Sequence, residues 1–143
     1  MSDEGSRTFV DTNILVYAHD SSAGEKHVIS RDRVRALWAD GSGCLSIQVL
    51  QEFYVTITRK VPRPFSPEAA AEVVADLSSW HVHSPTAHDV LAAIRWSARH
   101  QVSFWDAMIL VSAGALGCEI VWSEDLSAGQ RYGDARVVNP LTT

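Results

Sequence analysis

Short apolar stretches alternate along this chain with longer stretches of helical periodicity, and that alternation restricts the fold more than any other feature. Phe9-Val10, Cys44-Leu45-Ser46-Ile47, Trp80 to His83, Glu119-Ile120-Val121-Trp122 and Arg136-Val137-Val138 read as strands. Helices are expected from Thr12, over Ala23–Ala39 with Val34, Leu37 and Trp38 inward, and over Gln48–Lys60 with Val49, Leu50, Phe53 and Ile57 on one side. Pro62 and Pro64 end the last of these. Ser66-Pro67-Glu68 then supplies a capping serine, a first-turn proline and an acid at the positive end of a helix that buries Ala70, Val73, Val74 and Leu77. A helix over Ala87–His100 is expected to turn Val90, Leu91, Ile94 and Ala98 inward, with Thr86 and Asp89 as a capping box. The stretch from Ser103 or Phe104 to Gly117 is apolar nearly all round, as suits a central helix. A polar loop carrying Gly129 and Gly133 precedes the last strand. The whole implies an α/β fold, a parallel sheet flanked by helices on both faces.

At 143 residues the chain is expected to be one domain, residues 1–143, with Met1 to Ser6 as a flexible N-terminal extension. No apolar run approaches membrane-spanning length and the start is too polar for a signal peptide, so a soluble cytoplasmic protein is expected. Cys44 and Cys118 read as isolated, reduced core cysteines. The net charge of −5 argues against a protein that lives on nucleic acid. It averages over basic clusters at Arg31/Arg33/Arg35, Arg59/Lys60/Arg63 and Arg95/Arg99/His100, each of which also reads as a solvated helix face.

The acids carry more information. Asp11 ends the strand Phe9-Val10 and is followed by Thr12-Asn13, so it is either a helix cap or a functional acid. Glu124 and Asp125 also follow directly on an apolar strand. In a parallel sheet such strand ends share one edge, where ligands bind, so these acids could be neighbours. Glu52 flanks the apolar face of its helix, and Asp106 is the sole charged residue of its own. Crowded carboxylates repel one another unless a cation compensates, and Mg²⁺ or Mn²⁺ suits an all-oxygen site. No GxxxxGK[ST] loop is present. Metal-assisted attack of water on a phosphodiester uses such a site best.

Four strings in this order and spacing resemble the PIN-domain family, and within it the VapC-type ribonuclease toxins of toxin–antitoxin pairs. They are Phe9-Val10-Asp11-Thr12-Asn13 with Tyr17, Gln48 to Tyr54, Ser103-Phe104-Trp105-Asp106-Ala107 and Trp122-Ser123-Glu124-Asp125-Leu126, with Asn139-Pro140 as a closing signature. The resemblance implies a PIN-like, Rossmann-like three-layer sandwich and a hydrolase, an endoribonuclease using Mg²⁺ or Mn²⁺. It makes Asp11, Glu52 and Asp106 the core metal-binding carboxylates and Asp125 the fourth, more variable one. Thr12 and Ser123 match hydroxyl-bearing neighbours, and Glu124 is left as an auxiliary. It also implies single-stranded or looped RNA (tRNA, rRNA or mRNA) as substrate. The partners it implies are a second copy in a homodimer and a cognate antitoxin that packs on an apolar groove and pushes a side chain into the acidic pocket.

Products with 5′-phosphate and 3′-hydroxyl ends are expected, with the basic clusters tracking the RNA backbone. Trp105 reads as core, with base stacking as the alternative. The rivals are a catalytically silent PIN-like scaffold that binds RNA or protein, a zinc site on His81, His83 and His88, a phosphotransfer domain on Asp11, and a DNA nuclease. Neither a cysteine pair nor HExxH supports zinc, and Thr12-Asn13 stands where phosphotransfer on Asp11 would need a second acid.

Overall fold

The computed structural model describes residues 6–142; the extension expected over Met1 to Ser6 lies, apart from Ser6, outside them. Strands and helices alternate as β1 (Thr8–Val10), α1 (Thr12–His19), a 3-10 turn (Ser21–Ala23), α2 (Glu25–Asp40), β2 (Gly43–Ser46), α3 (Ile47–Arg59), α4 (Pro67–Leu77), β3 (His81–His83), α5 (Ala87–His100), α6 (Phe104–Ala115), β4 (Ile120–Trp122), β5 (Arg131–Tyr132) and β6 (Ala135–Val138). Small polar residues fix where the helices begin, because the first backbone N–H groups of a helix lack partners of their own. Ser46 accepts from Val49 N at 3.3 Å, Ser66 from Ala69 N at 3.1 Å with Pro67 next to it, and Ser103 from Asp106 N at 3.0 Å. Thr86 and Asp89 form the expected capping box.

The sheet runs in the order β3-β2-β1-β4-β6-β5. β1 lies between β2 and β4 and is parallel to both, with Val10 opposite Trp122. The chain therefore builds outward from β1 through β2 to β3, then crosses back to lay β4 on the other side of β1. That reversal makes a topological switch point at the carboxyl ends of β1 and β4. Phe9 and Val10 point to opposite faces of the sheet and both are fully buried, so helices cover both faces, as expected. The core gathers the strands with Ile14, Leu15, Phe53, Ile57, Ile109 and Leu110 from the helices. Among the described residues no helix is long and apolar enough to cross a membrane.

Four expectations need correction. The segment taken as polar loop contains β5, which pairs antiparallel with β6 around a turn where Gly133 has φ 61°. The inward face of α5 is not the one its apolar spacing suggests: Leu91 and Ile94 are 52 % and 53 % exposed and Val90 and Ala98 are exposed too, while Ala93 is buried against Ala107 and Met108 of α6. Trp105 is 60 % exposed, so it is not core. Trp38, expected inward on α2, is 43 % exposed, while Cys44 and Cys118 are buried and free as expected. One close approach is built into β2: a Cβ at Gly43 would stand 2.5 Å from the indole of Trp80, which is braced edge-on by Trp38 at 5.2 Å.

Candidate functional site

Asp11 sits at the switch point. Its backbone N–H donates to Trp122 O at 2.9 Å, which continues the β1–β4 ladder by one residue and fixes the carboxylate beside Ser123. The side chain is 6 % exposed. Oδ1 accepts from Thr12 N at 2.8 Å, the cap of α1, and Oδ2 accepts from the Ser123 hydroxyl at 2.7 Å. Ser123 Oγ in turn accepts from Asp125 N at 3.1 Å and Leu126 N at 3.2 Å, so one buried hydroxyl ties Asp11 to the turn that carries Asp125. Asn13 completes that turn: Nδ2 donates to Asp125 Oδ2 at 2.9 Å, and Oδ1 accepts from Glu124 N at 3.2 Å. From α3, Glu52 accepts from the Thr12 hydroxyl at 2.6 Å and from Gln48 Nε2 at 3.2 Å. Asp106 enters from the first turn of α6, half-buried.

The carboxylates feel one another. Burial pushes Asp11 up from its ordinary 3.8 to about 6; the Ser123 and Thr12 hydrogen bonds pull the other way, and the charges of Asp106 and Asp125 add to the rise. Burial also raises Asp106, with the charges of Asp125 and Glu52 added. Among the described residues no three acidic, histidine or cysteine side chains close tightly enough to wrap one ion. Mg²⁺ does not require that, since it keeps several waters and takes one or two carboxylates. The donor set is all oxygen, and Gln48 Oε1, on the side chain that bonds Glu52, is buried without a partner. These residues fit a hard divalent cation better than they fit each other.

The sequence model of the PIN domain family matches residues 8–131. The chain belongs to the PIN domain family. No curated protein matches it. Two solved structures share the fold of this PIN domain. One is VapC20 of Mycobacterium tuberculosis, described as a sarcin–ricin loop cleaving toxin: 23 % identical, TM-score 0.63, covering 82 % of this chain and 91 % of that one. The other is DNA-bound VapBC from Salmonella typhimurium: 20 % identical, TM-score 0.63, covering 92 % of this chain and 96 % of that one.

Several side chains around the acids of this PIN site were given no role among them from the sequence. Asn13 read only as a helix opener, and Gln48 is recognisable only by lying one helical turn before Glu52. Tyr17 and Lys26 both hold Glu124, at 2.6 Å each. Lys60, from one of the basic clusters expected to track RNA, helps line a pocket of about 510 Å³ that also takes in Thr12, Asn13, Glu52, Thr56 and Asp125. Elsewhere, His83 has one ring nitrogen 2.9 Å from the Ser112 hydroxyl and the other 3.2 Å from Asp89. That serine–histidine–aspartate series is no nucleophile, because Ser112 is fully buried; it ties β3 to α5 and α6. Both ring nitrogens of His83 are thereby engaged, which removes it from a zinc site with His81 and His88.

Proposed function

We propose that this PIN domain is a Mg²⁺- or Mn²⁺-dependent endoribonuclease that hydrolyses phosphodiester bonds in single-stranded or looped RNA, and that it is the toxin of a type II toxin–antitoxin pair acting in the cytoplasm. The observation that carries the proposal is Asp11: a buried carboxylate at the switch point, with the charges of Asp106 and Asp125 bearing on it. Asp11, Glu52, Asp106 and Asp125 would hold the ion or ions. When bound, the metal would supply Lewis acidity, for activating a water and for the charge that develops on the leaving oxygen.

The chain's own residues do the positioning. Ser123 and Thr12 N hold Asp11 in one orientation, the Thr12 hydroxyl and Gln48 orient Glu52, and Asn13 orients Asp125. Attack of water on phosphorus expels the 3′-oxygen, which leaves a 3′-hydroxyl and a 5′-phosphate. Trp105, exposed beside Asp106, offers a face for an unpaired base, and Lys60 an ammonium for a neighbouring phosphate. That VapC20 is a sarcin–ricin loop cleaving toxin supports a looped RNA as the substrate class.

An apolar groove of about 690 Å³ between α3 and α4, walled by Leu50, Tyr54, Val55 and Val74, supports the antitoxin partner. Gln51 and Val55 also line a smaller hollow with Glu52 and Lys60, so a peptide seated in the groove has a path to the acids. The exposed Val90, Leu91 and Ile94 of α5 support a homodimer.

The test is cleavage of a stem–loop RNA by purified protein with Mg²⁺, with Mn²⁺ and with excess chelator. Cleavage is expected only with metal, and Asp106→Asn is expected to lower kcat/KM by about 100-fold or more, about 2.7 kcal/mol of transition-state stabilisation. Cleavage that survives chelation, or that Asp106→Asn leaves intact, overturns the proposal; binding without cleavage gives the silent scaffold.

A further inference from the structure

Glu124 stands between Ser123 and Asp125 in the turn after β4, where a carboxylate could serve as one more ligand. Both of its oxygens are already engaged by side chains outside the acidic set. Oε1 accepts the Tyr17 hydroxyl at 2.6 Å, and Oε2 lies 2.6 Å from Lys26 Nζ. The same ammonium sits 5.0 Å from the centre of the Tyr17 ring, so the three side chains form one unit built from α1, α2 and the β4 turn. The backbone N–H of Glu124 donates to Asn13, and Asn13 in turn holds the Asp125 carboxylate.

We infer that Glu124 is a positioning residue and not a ligand: held by Tyr17 and Lys26, it anchors the turn that aims Asp125 and keeps Asn13 in place to orient it. The inference rests on the metal-nuclease proposal, since aiming Asp125 matters only to a bound ion. Recruiting Glu124 as a ligand would break two charge-assisted or phenolic hydrogen bonds and release the turn that carries Asp125.

Mn²⁺ binding to the full chain, followed by the electron paramagnetic resonance of free Mn²⁺, separates the roles, with RNA cleavage measured in parallel. Glu124→Gln keeps partners for both Tyr17 and Lys26, because its amide oxygen can face the ammonium and its NH₂ the phenol. It is expected to bind Mn²⁺ within about threefold of the natural protein. Glu124→Ala loses both contacts and is expected to bind about 10-fold more weakly, yet to recover kcat when Mn²⁺ saturates. Tyr17→Phe shifts affinity in the same direction and adds little on top of Glu124→Ala. If Glu124→Ala does not fold, Tyr17→Phe and Lys26→Met carry the same expectation.

Equal losses in Glu124→Gln and Glu124→Ala make Glu124 a ligand and overturn the inference. Undiminished Mn²⁺ binding in Glu124→Ala overturns it as well. Failure of the parent proposal looks different: the natural protein itself then neither binds Mn²⁺ nor cuts RNA.

Discussion

Asp11→Asn should stabilise the metal-free protein at neutral pH, although it removes the residue on which the proposed chemistry depends most. The wild-type carboxylate is 6 % exposed and pushed up from 3.8 to about 6. At 1.36 kcal/mol per pKa unit that shift corresponds to about 3 kcal/mol of strain in the charged form. Asparagine carries no charge, has nearly the same shape and can still cap α1 through Thr12 N, but it turns an NH₂ toward Ser123 and so gives up one accepted hydrogen bond, a loss of about 1 kcal/mol. We expect a gain of about 2 kcal/mol at pH 7.5, which for a chain of this size raises Tm by about 5–10 °C.

The pH dependence identifies the cause. Between pH 3.8 and about 6 the unfolded Asp11 has lost its proton while the folded one retains it, so wild-type stability falls as pH rises through that window. Above the window the penalty is fully in force; near pH 4 it is gone. The advantage of Asp11→Asn should therefore shrink toward zero at pH 4. Divalent metal should close the gap from the other side, since an ion at ten times its Kd stabilises the wild type by about 1.4 kcal/mol. The assay is thermal and urea unfolding of both proteins at pH 4, 5.5 and 7.5, with chelator and with Mg²⁺. A variant no more stable than wild type at pH 7.5, or one whose advantage does not change between pH 4 and 7.5, refutes the claim that an uncompensated buried charge strains this site.

Two further outcomes are expected. Trp105→Ala should raise KM for RNA by about 10-fold with little change in kcat, the effect of losing one base-stacking platform, and should move Tm little because the side chain is 60 % exposed; a collapse of Tm would return Trp105 to the core. Gly43→Ala should destabilise the fold by about 1–3 kcal/mol in urea titration, because its methyl group meets the Trp80 indole at 2.5 Å; an unchanged midpoint would mean that the Trp80–Trp38 pair yields freely.

The acids were legible in the sequence because each interrupts an apolar pattern: Asp11 and Asp125 follow short strands, and Asp106 stands alone in an apolar helix. Their partners were not. Asn13 and Asp125 are 112 residues apart, Tyr17 and Glu124 107, and Thr12 and Glu52 40. Each of these bonds depends on strand order and register, which local pattern does not specify. The parallel sheet itself followed from the alternation of elements; the place of β1 between β2 and β4, which creates the site, did not.

Two of the misreadings have one physical origin. Periodicity says which residues of a helix share a face, not which face meets the protein. In α5 the spacing of Val90, Leu91 and Ile94 competes with that of Ala93, Trp96 and His100, and the second set wins. The reason lies in β5, the strand the sequence did not announce. Tyr132 of β5 packs edge-on against His100 at 5.3 Å, His100 packs on Trp96 at 5.3 Å, and a Cβ on Gly133 would stand 3.5 Å from the Trp96 ring. Ala93 meanwhile lets α5 approach Ala107 and Met108 of α6. The aromatic series from β5 and the small residue toward α6 together rotate α5 so that its more apolar stripe is left outside. A strand of two residues has no room to show an alternating pattern, so its absence from the sequence reading removed the wall that orients the helix. The apolar stripe on the outside of α5 is thus a consequence of how the edge of the sheet is finished, and it is the surface on which the proposed homodimer rests.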